Sequence, residues 1–190
     1  KVFLEAKLPD LAVDSFEEAA KFNQGRPGVH SFNLATVYKE TGEPQKALDE
    51  LQKYFDAQLQ TKGREAYQLL KDLLAQTDKS DTLLPRLEEL HKADPRNVAL
   101  RYFLAETYQA SDQLDQAEKL LKETLGEGAD PRGLVGLVSL YRHKKDAQAL
   151  YDTLRKTYQV VPQVDEEDSE QLERLDADSR AVVEQFRAVQ

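Results

Sequence analysis

The chain has 190 residues, a formal net charge of −9, 40% hydrophobic and 32% charged residues, enough apolar material for a core but not for a thick one. Eight Gly and seven Pro are few for this length, so the composition leans towards helix, where straight-chain side chains lose little rotamer freedom. With no basic footprint for phosphates and no Cys, composition argues against nucleic-acid binding and excludes disulfides, thiolate nucleophiles and Cys-based metal sites.

Residues 160–190 hold nine acids and three bases, a net of 3 − 9 = −6, which leaves only −3 for residues 1–159. That near-neutral body offers no attraction to an anionic membrane, and no apolar run approaches the roughly 20 residues of a membrane span. The chain opens at Lys1 and contains no Met, so it reads as a fragment from which targeting signals have been cut away.

A repeat runs along the chain. An aromatic followed nine residues later by a small residue fits Phe3 and Ala12, Tyr38 and Ala47, and Tyr108 and Ala117. Leu74 and Leu83 supply the copy between the last two, and Tyr141 marks one more. Successive landmarks are 35, 36, 34 and 33 residues apart, a self-similarity that helical composition alone does not produce.

In chain order, the first copy opens part-way through its first helix and continues from Pro9. The second passes through "TGEPQKALDE", where Gly42 ends a helix in cheap left-handed geometry, Pro44 suits the first turn of the next, and Ala47 is the small contact between the two. Pro85 falls in the second helix of the third copy. In the fourth, Leu100, Leu104, Ala105 and Tyr108 form one helical stripe, and Leu114, Ala117, Leu120, Leu121 and Leu125 form another. Ser111 and Asp112 between them read as N-caps. The fifth copy has a shortened turn at "RHKKD". These units predict an array over 1–158: a partial first repeat, then four repeats starting near 29, 64, 97 and 131. Residues 159–190 read as an acidic linker, loosest over 159–167, plus a degenerate or capping helix pair. Leu175 lies 34 residues after Tyr141, and Ser179 precedes Ala181, Val182, Phe186 and Val189 at helical spacing.

Leu34-Ala35, Tyr38, Gly42, Ala47 and Leu51 in one copy, and Leu104-Ala105, Tyr108, Ala117 and Leu121 after Asp94-Pro95 in another, resemble the tetratricopeptide repeat family. The family's Trp is absent. The resemblance implies an all-α fold, a right-handed superhelical α-solenoid of stacked antiparallel helix pairs. It also implies an inner groove lined by the first helices of successive repeats, which holds a partner protein or peptide. Carried over repeat by repeat, the groove positions are Phe32, Asn33, Thr36 and Lys39; then Gln68 and Asp72; then Tyr102, Phe103, Glu106 and Gln109; and last Arg132, Val135, Ser139, Arg142 and His143. Of the aromatics, Tyr102 is expected to be exposed, whereas core packing weighs equally for Phe103. Family members that grip a C-terminal carboxylate use Lys and Asn where this chain has Phe32 and Thr36, so that clamp is expected to be absent. Arg132 and Arg142 remain as a basic pair for an acidic group, including the chain's own acidic segment.

Catalytic and metal readings are weak. His30, His91 and His143 have no His or Cys near them at ligand spacing. Glu17-Glu18, Glu88-Glu89 and Asp165 to Asp168 read as solvated faces, and the last lacks the spaced ligands of a calcium loop. No Gly-flanked Ser elbow or phosphate loop is present. The sequence therefore predicts a non-catalytic protein-interaction scaffold without metal or cofactor. The alternative is a structural spacer or oligomerisation segment of a larger protein, forming a homo-oligomer.

Overall fold

The computed structural model describes residues 9–22, 28, 30–57, 63–126, 131–160, 180, 182–184 and 187. The Phe3 landmark, residues 161–179 of the acidic linker with Leu175 and Ser179, and Ala181, Phe186 and Val189 lie outside the described residues. Among the described residues every element is helical: α1 (Pro9–Phe22), α2 (Ser31–Glu40), α3 (Pro44–Asp56), α4 (Glu65–Gln76), a 3₁₀ turn (Ser80–Thr82), α5 (Leu83–Ala93), α6 (Val98–Ala110), α7 (Leu114–Gly126), α8 (Pro131–Lys144) and α9 (Ala147–Val160). Arg180, residues 182–184 and Arg187 are also helical. The architecture is an all-α solenoid of helix pairs, and the chain forms two compact units, residues 1–100 and 101–190.

Among the described residues, each first helix of a pair ends in the same way. At the end of α2 the Glu43 N–H donates to the Tyr38 carbonyl at 2.8 Å and the Gly42 N–H to the Lys39 carbonyl at 3.2 Å. The same two bonds close α4 (Lys79 to Leu74, 2.8 Å; Asp78 to Ala75, 3.4 Å), α6 (Gln113 to Tyr108, 2.8 Å; Asp112 to Gln109, 3.1 Å) and α8 (Asp146 to Tyr141, 3.0 Å; Lys145 to Arg142, 3.2 Å). This double closure satisfies carbonyls that the helix end would otherwise orphan, and it requires one left-handed residue. Gly42 (φ +77°), Asp78 (+55°), Asp112 (+58°) and Lys145 (+56°) take that conformation. The repeat landmarks Tyr38, Leu74, Tyr108 and Tyr141 are thus the residues whose carbonyls accept the longer closing bond.

This geometry corrects the capping role read for Ser111 and Asp112. An N-cap needs extended backbone, and Asp112 is instead committed to the left-handed closure of α6. The carbonyl that opens α7 belongs to Gln113, which accepts from the Ala117 N–H at 3.2 Å. In three repeats the second helix starts two residues after the left-handed position, at Pro44, Leu114 and Ala147. After Asp78 the 3₁₀ turn intervenes and α5 starts at Leu83, which places Pro85 in the first turn, where a missing N–H removes no helix bond.

In the first unit α2 packs on α1, α3 and α4, and α4 also packs on α3 and α5. Ala12, Leu34, Ala35, Tyr38, Ala47, Leu48 and Leu51 are buried with Tyr67, Leu70, Leu73, Leu74 and Leu87. The paired small residues Ala35 and Ala47 are both fully buried, as close helix approach demands. In the second unit α8 packs on α7 and α9. Leu104, Leu121, Val138 and Leu140 form its core, and each fully buried Leu contributes roughly 1.5–3 kcal/mol. Buried Thr124 and Thr157 satisfy their hydroxyls by donating to the carbonyls of Leu120 (2.7 Å) and Thr153 (2.8 Å) one turn back.

A Cβ at Gly42 would meet nothing within 4 Å, so a substitution there tests backbone conformation alone. Gly42→Ala is expected to destabilise the first unit by about 1–2 kcal/mol. Lys145→Gly, which relieves the same strain at the end of α8, is expected to be neutral or stabilising by up to about 1 kcal/mol. Urea unfolding monitored by circular dichroism reads both changes.

Candidate functional site

The row on α2 and α4 is built around one carboxylate. Lys39 Nζ lies 2.5 Å from Asp72 Oδ2, and Gln68 Nε2 donates to Asp72 Oδ1 at 2.8 Å. Partial burial alone would raise the Asp72 pKa, but the hydrogen bonds from Lys39 and Gln68 outweigh it and hold the carboxyl below its ordinary value. Three residues singled out in the sequence therefore meet in a single network between adjacent first helices. Asn33 and Gln68 are exposed, while Phe32, Thr36 and Lys39 are half-buried. The Phe32 ring leans on Tyr54 with centroids 5.5 Å apart, and the contacts continue to Phe55 (5.7 Å) and Tyr67 (5.8 Å, stacked). Phe32 is thus partly engaged in inter-helix packing, and the Thr36 hydroxyl donates back to the Phe32 carbonyl at 3.0 Å.

In the second unit the row lies on α6 and α8. Tyr102 is half-buried, not exposed as expected, with its hydroxyl buried. A Cβ at Gly133 would stand 3.0 Å from the Leu125 side chain and 3.3 Å from that hydroxyl, so the missing side chain leaves α8 room beside both. The Arg132 guanidinium lies 5.3 Å over the Tyr102 ring, a cation–π contact that covers its other side. Phe103 is 4% exposed and belongs to the core, and Val135 is fully buried. One residue is a 100° step around a helix, so Phe103 turns with Leu104 and Val135 with Leu134 away from the row. Glu106, Gln109 and Ser139 are half-buried, and Arg142 and His143 are exposed.

A family model, tetratricopeptide repeat, matches residues 84–140. Residues 84–140 are thereby a tetratricopeptide repeat (TPR) region. Solved structures share the fold. The crystal structure of MamA is 18% identical, covering 83% of this chain and 91% of its own, with a TM-score of 0.57. A thermophilic TPR protein of Thermus thermophilus is 18% identical and covers 99% and 94%, with a TM-score of 0.55. YrrB, described as a TPR protein with an unusual peptide-binding site, is 13% identical and covers 83% and 80%, with a TM-score of 0.54. No curated protein matches the chain.

Several contacts between neighbouring TPR units carry no sign in the sequence. Lys79 Nζ donates to Gln45 Oε1 at 3.3 Å and Arg86 hydrogen-bonds Gln52, both across 34 residues. These ties bridge a cleft of about 520 Å³ between α3 and α5, floored by Leu48 and Leu74 and opened by the late start of α5. Asn97 Oδ1 accepts from the Leu100 N–H at 3.1 Å and caps α6, while its amide donates to the Tyr67 hydroxyl at 3.1 Å. Arg101 is buried. Period arguments find equivalent positions, but not which polar pair bridges them. The described residues hold no group of three or more metal-ligating side chains and no helix long and apolar enough to cross a membrane.

The strongest tie joins α7 to α8. Glu118 accepts from Lys122 at 2.6 Å, from Lys144 at 2.6 Å and from the Tyr141 hydroxyl at 3.0 Å. Lys144 also meets Asp115 at 3.0 Å. The bonds from Lys122 and Lys144, joined by that from Tyr141, outweigh partial burial and lower the Glu118 pKa to about 2. A carboxyl whose folded pKa is depressed stabilises the fold above its ordinary pKa of 4.5, and that contribution fades as the pH falls towards 2. Glu118→Gln is therefore expected to cost about 1–2 kcal/mol at pH 7. The difference from the parent protein should shrink progressively below pH 4.5 in urea titrations.

Proposed function

We propose that the chain is a non-catalytic scaffold that binds a partner protein or peptide through the groove its first helices line. The observation that carries this reading is how the first helices divide their surface. Leu34, Ala35 and Tyr38 on α2, and Leu134, Leu137 and Tyr141 on α8, are spent on the core, while Asn33, Gln68 and Arg142 are exposed and Glu106 and Gln109 half-buried. Such a row offers several weak anchors instead of one reactive group. The strongly depressed carboxyl, Glu118, is held by two lysines and a tyrosine in an inter-repeat contact, which suits a structural tie better than proton transfer. The TPR fold generally mediates protein–protein contacts, and YrrB, which shares it, has a peptide-binding site.

Site-specific photo-crosslinking separates groove use from other surfaces. A photoreactive residue at Gln68 or Gln109 is expected to capture a defined partner from the source lysate, and one at Lys119, whose side chain is 78% exposed on α7, is not. Equal capture from all three positions would sink the groove reading.

A spacer or self-association role is the second reading. It is favoured by Tyr151 on α9 and Leu11 on α1, which are 62% and 47% exposed, since exposed large apolar groups mark contact surfaces. On that reading, sedimentation at rising concentration shows association that Tyr151→Lys abolishes. A concentration-independent monomer excludes it.

A further inference from the structure

On the second helices of the first unit, two glutamines each stand between a cation and a carboxylate. Gln45 Oε1 accepts from Lys79 at 3.3 Å while the Gln45 amide donates to Asp49 at 3.1 Å. Seven residues on, Gln52 repeats the arrangement, accepting from Arg86 and donating to Asp56 at 2.6 Å. Each amide thus keeps a positive and a negative side chain apart. A neutral carbonyl oxygen orients a cation without cancelling its charge, so Lys79 and Arg86 are held in place as cations.

These two ties cross the cleft of about 520 Å³ between α3 and α5. Seven residues of α3 set them about 10 Å apart, so they frame a window. Leu48 and Leu74 are buried and form its floor, and exposed Pro85 stands on the α5 wall. Asp49 is exposed on the α3 wall between the two ties. Glu89 lines the cleft one turn beyond Arg86, outside the window.

The window limits what can enter. An α-helix with its side chains is about 10–12 Å across, so it cannot settle on the floor without breaking the ties. A single side chain passes between them. To meet the whole lining it needs an apolar body for Leu48, Leu74 and Pro85, a negative face for two cations, and a donor for Asp49. An aliphatic side chain offers only the first, and a phenylalanine ring lacks the donor. Indole supplies all three, since its face is the best of the aromatic faces for a cation and its ring N–H only donates.

We propose that this window seats a tryptophan side chain presented by a partner protein. Its ring lies on Leu48, Leu74 and Pro85, its face turns towards Lys79 and Arg86, and its N–H donates to Asp49. A buried aromatic of this kind is the sort of anchor in which protein contacts concentrate their binding energy. The site lies on the second helices and stands independently of the groove that the first helices line.

The chain itself contains no Trp, so indole emission belongs to the ligand alone and reports its burial. A nine-residue Gly/Ser peptide with blocked ends and a central Trp is titrated with the full chain, and its emission is expected to shift to shorter wavelength and saturate. The same peptide bearing Leu should compete at least tenfold more weakly. Lys79→Ala and Arg86→Ala should each weaken the Trp peptide about threefold to tenfold. Gln45→Glu, which sets a carboxylate against Lys79 in place of the amide, should weaken it likewise. Gln68→Ala in the first-helix row should change nothing, and unchanged circular dichroism shows that each variant is folded. The proposal is overturned by the lack of a saturable shift up to about 1 mM chain, by equal competition from the Leu peptide, or by binding indifferent to both cation changes. A loss of binding in Gln68→Ala with the cleft variants unaffected also overturns it, since the peptide would then occupy the groove. So does saturable binding of free tryptophan without binding of the peptide, because the occupant would then be a small molecule.

Discussion

The hydrogen bond that runs back over the end of each first helix sets the register for everything packed around it. From Glu43 to Tyr38, Lys79 to Leu74, Gln113 to Tyr108 and Asp146 to Tyr141, the chain turns through a left-handed residue and leaves the carbonyls of the last turn satisfied. In three of the four repeats the second helix then departs at a fixed distance from the landmark, and Ala47 and Ala117 pack at zero exposure. A helix pair closed in this way still has apolar faces to cover, and stacking on its neighbour covers them. Three of the four closures use a non-glycine residue, each accepting conformational strain on the order of 1–3 kcal/mol. That strain is tolerated because the two closing bonds and the packing behind them leave the backbone no alternative.

Stacking repeats brings equivalent positions together, and polar contacts follow the same period. Lys39 meets Asp72 after 33 residues, Gln45 meets Lys79 after 34, and Gln52 meets Arg86 after 34. Only the first is an ion pair; the other two set a cation against a neutral amide, which fixes geometry with little net attraction. Where the third repeat delays its second helix by the 3₁₀ turn, side chains reach across the cleft between α3 and α5. In the second unit Glu118 concentrates the same work, with one carboxylate serving Lys122, Lys144 and Tyr141.

The repeat was legible because the landmark residues do two jobs at once. Tyr38 and Tyr108 supply the closing carbonyl, and Tyr38 is also buried in the core, so the landmark marks a helix end and a packing position together. The row of candidate site residues was legible only to within one helical step. Phe103 and Val135 are buried one step from their neighbours in the row, and nothing in a single sequence says on which side of a 100° step a neighbouring helix comes to rest. Tyr102 differs from expectation for a related reason: its buried hydroxyl lies close to Gly133, a residue conspicuous only for what it lacks. Asp112 reads as an N-cap by residue type, but its backbone belongs to the helix before it. The buried Arg101 gives no sign at all in the pattern, since charge at a core position is settled by partners rather than by spacing.

The two rows show how one architecture yields different surfaces. On α2 and α4 the cation and the carboxylate that adjacent repeats provide satisfy each other, and Gln68 completes the set, so a ligand would have to displace an existing hydrogen bond to gain one. On α6 and α8 the Arg132 guanidinium lies 5.3 Å over the Tyr102 ring, so the contact between those first helices is a cation–π contact. A stacked contact of that kind sets the guanidinium on the negative face of a ring, whereas an ion pair between partly buried groups must first offset the desolvation of both charges. Equivalent first-helix positions in the two units therefore carry contacts of different chemistry, the difference resting on whether the neighbouring first helix supplies Asp72 or Tyr102.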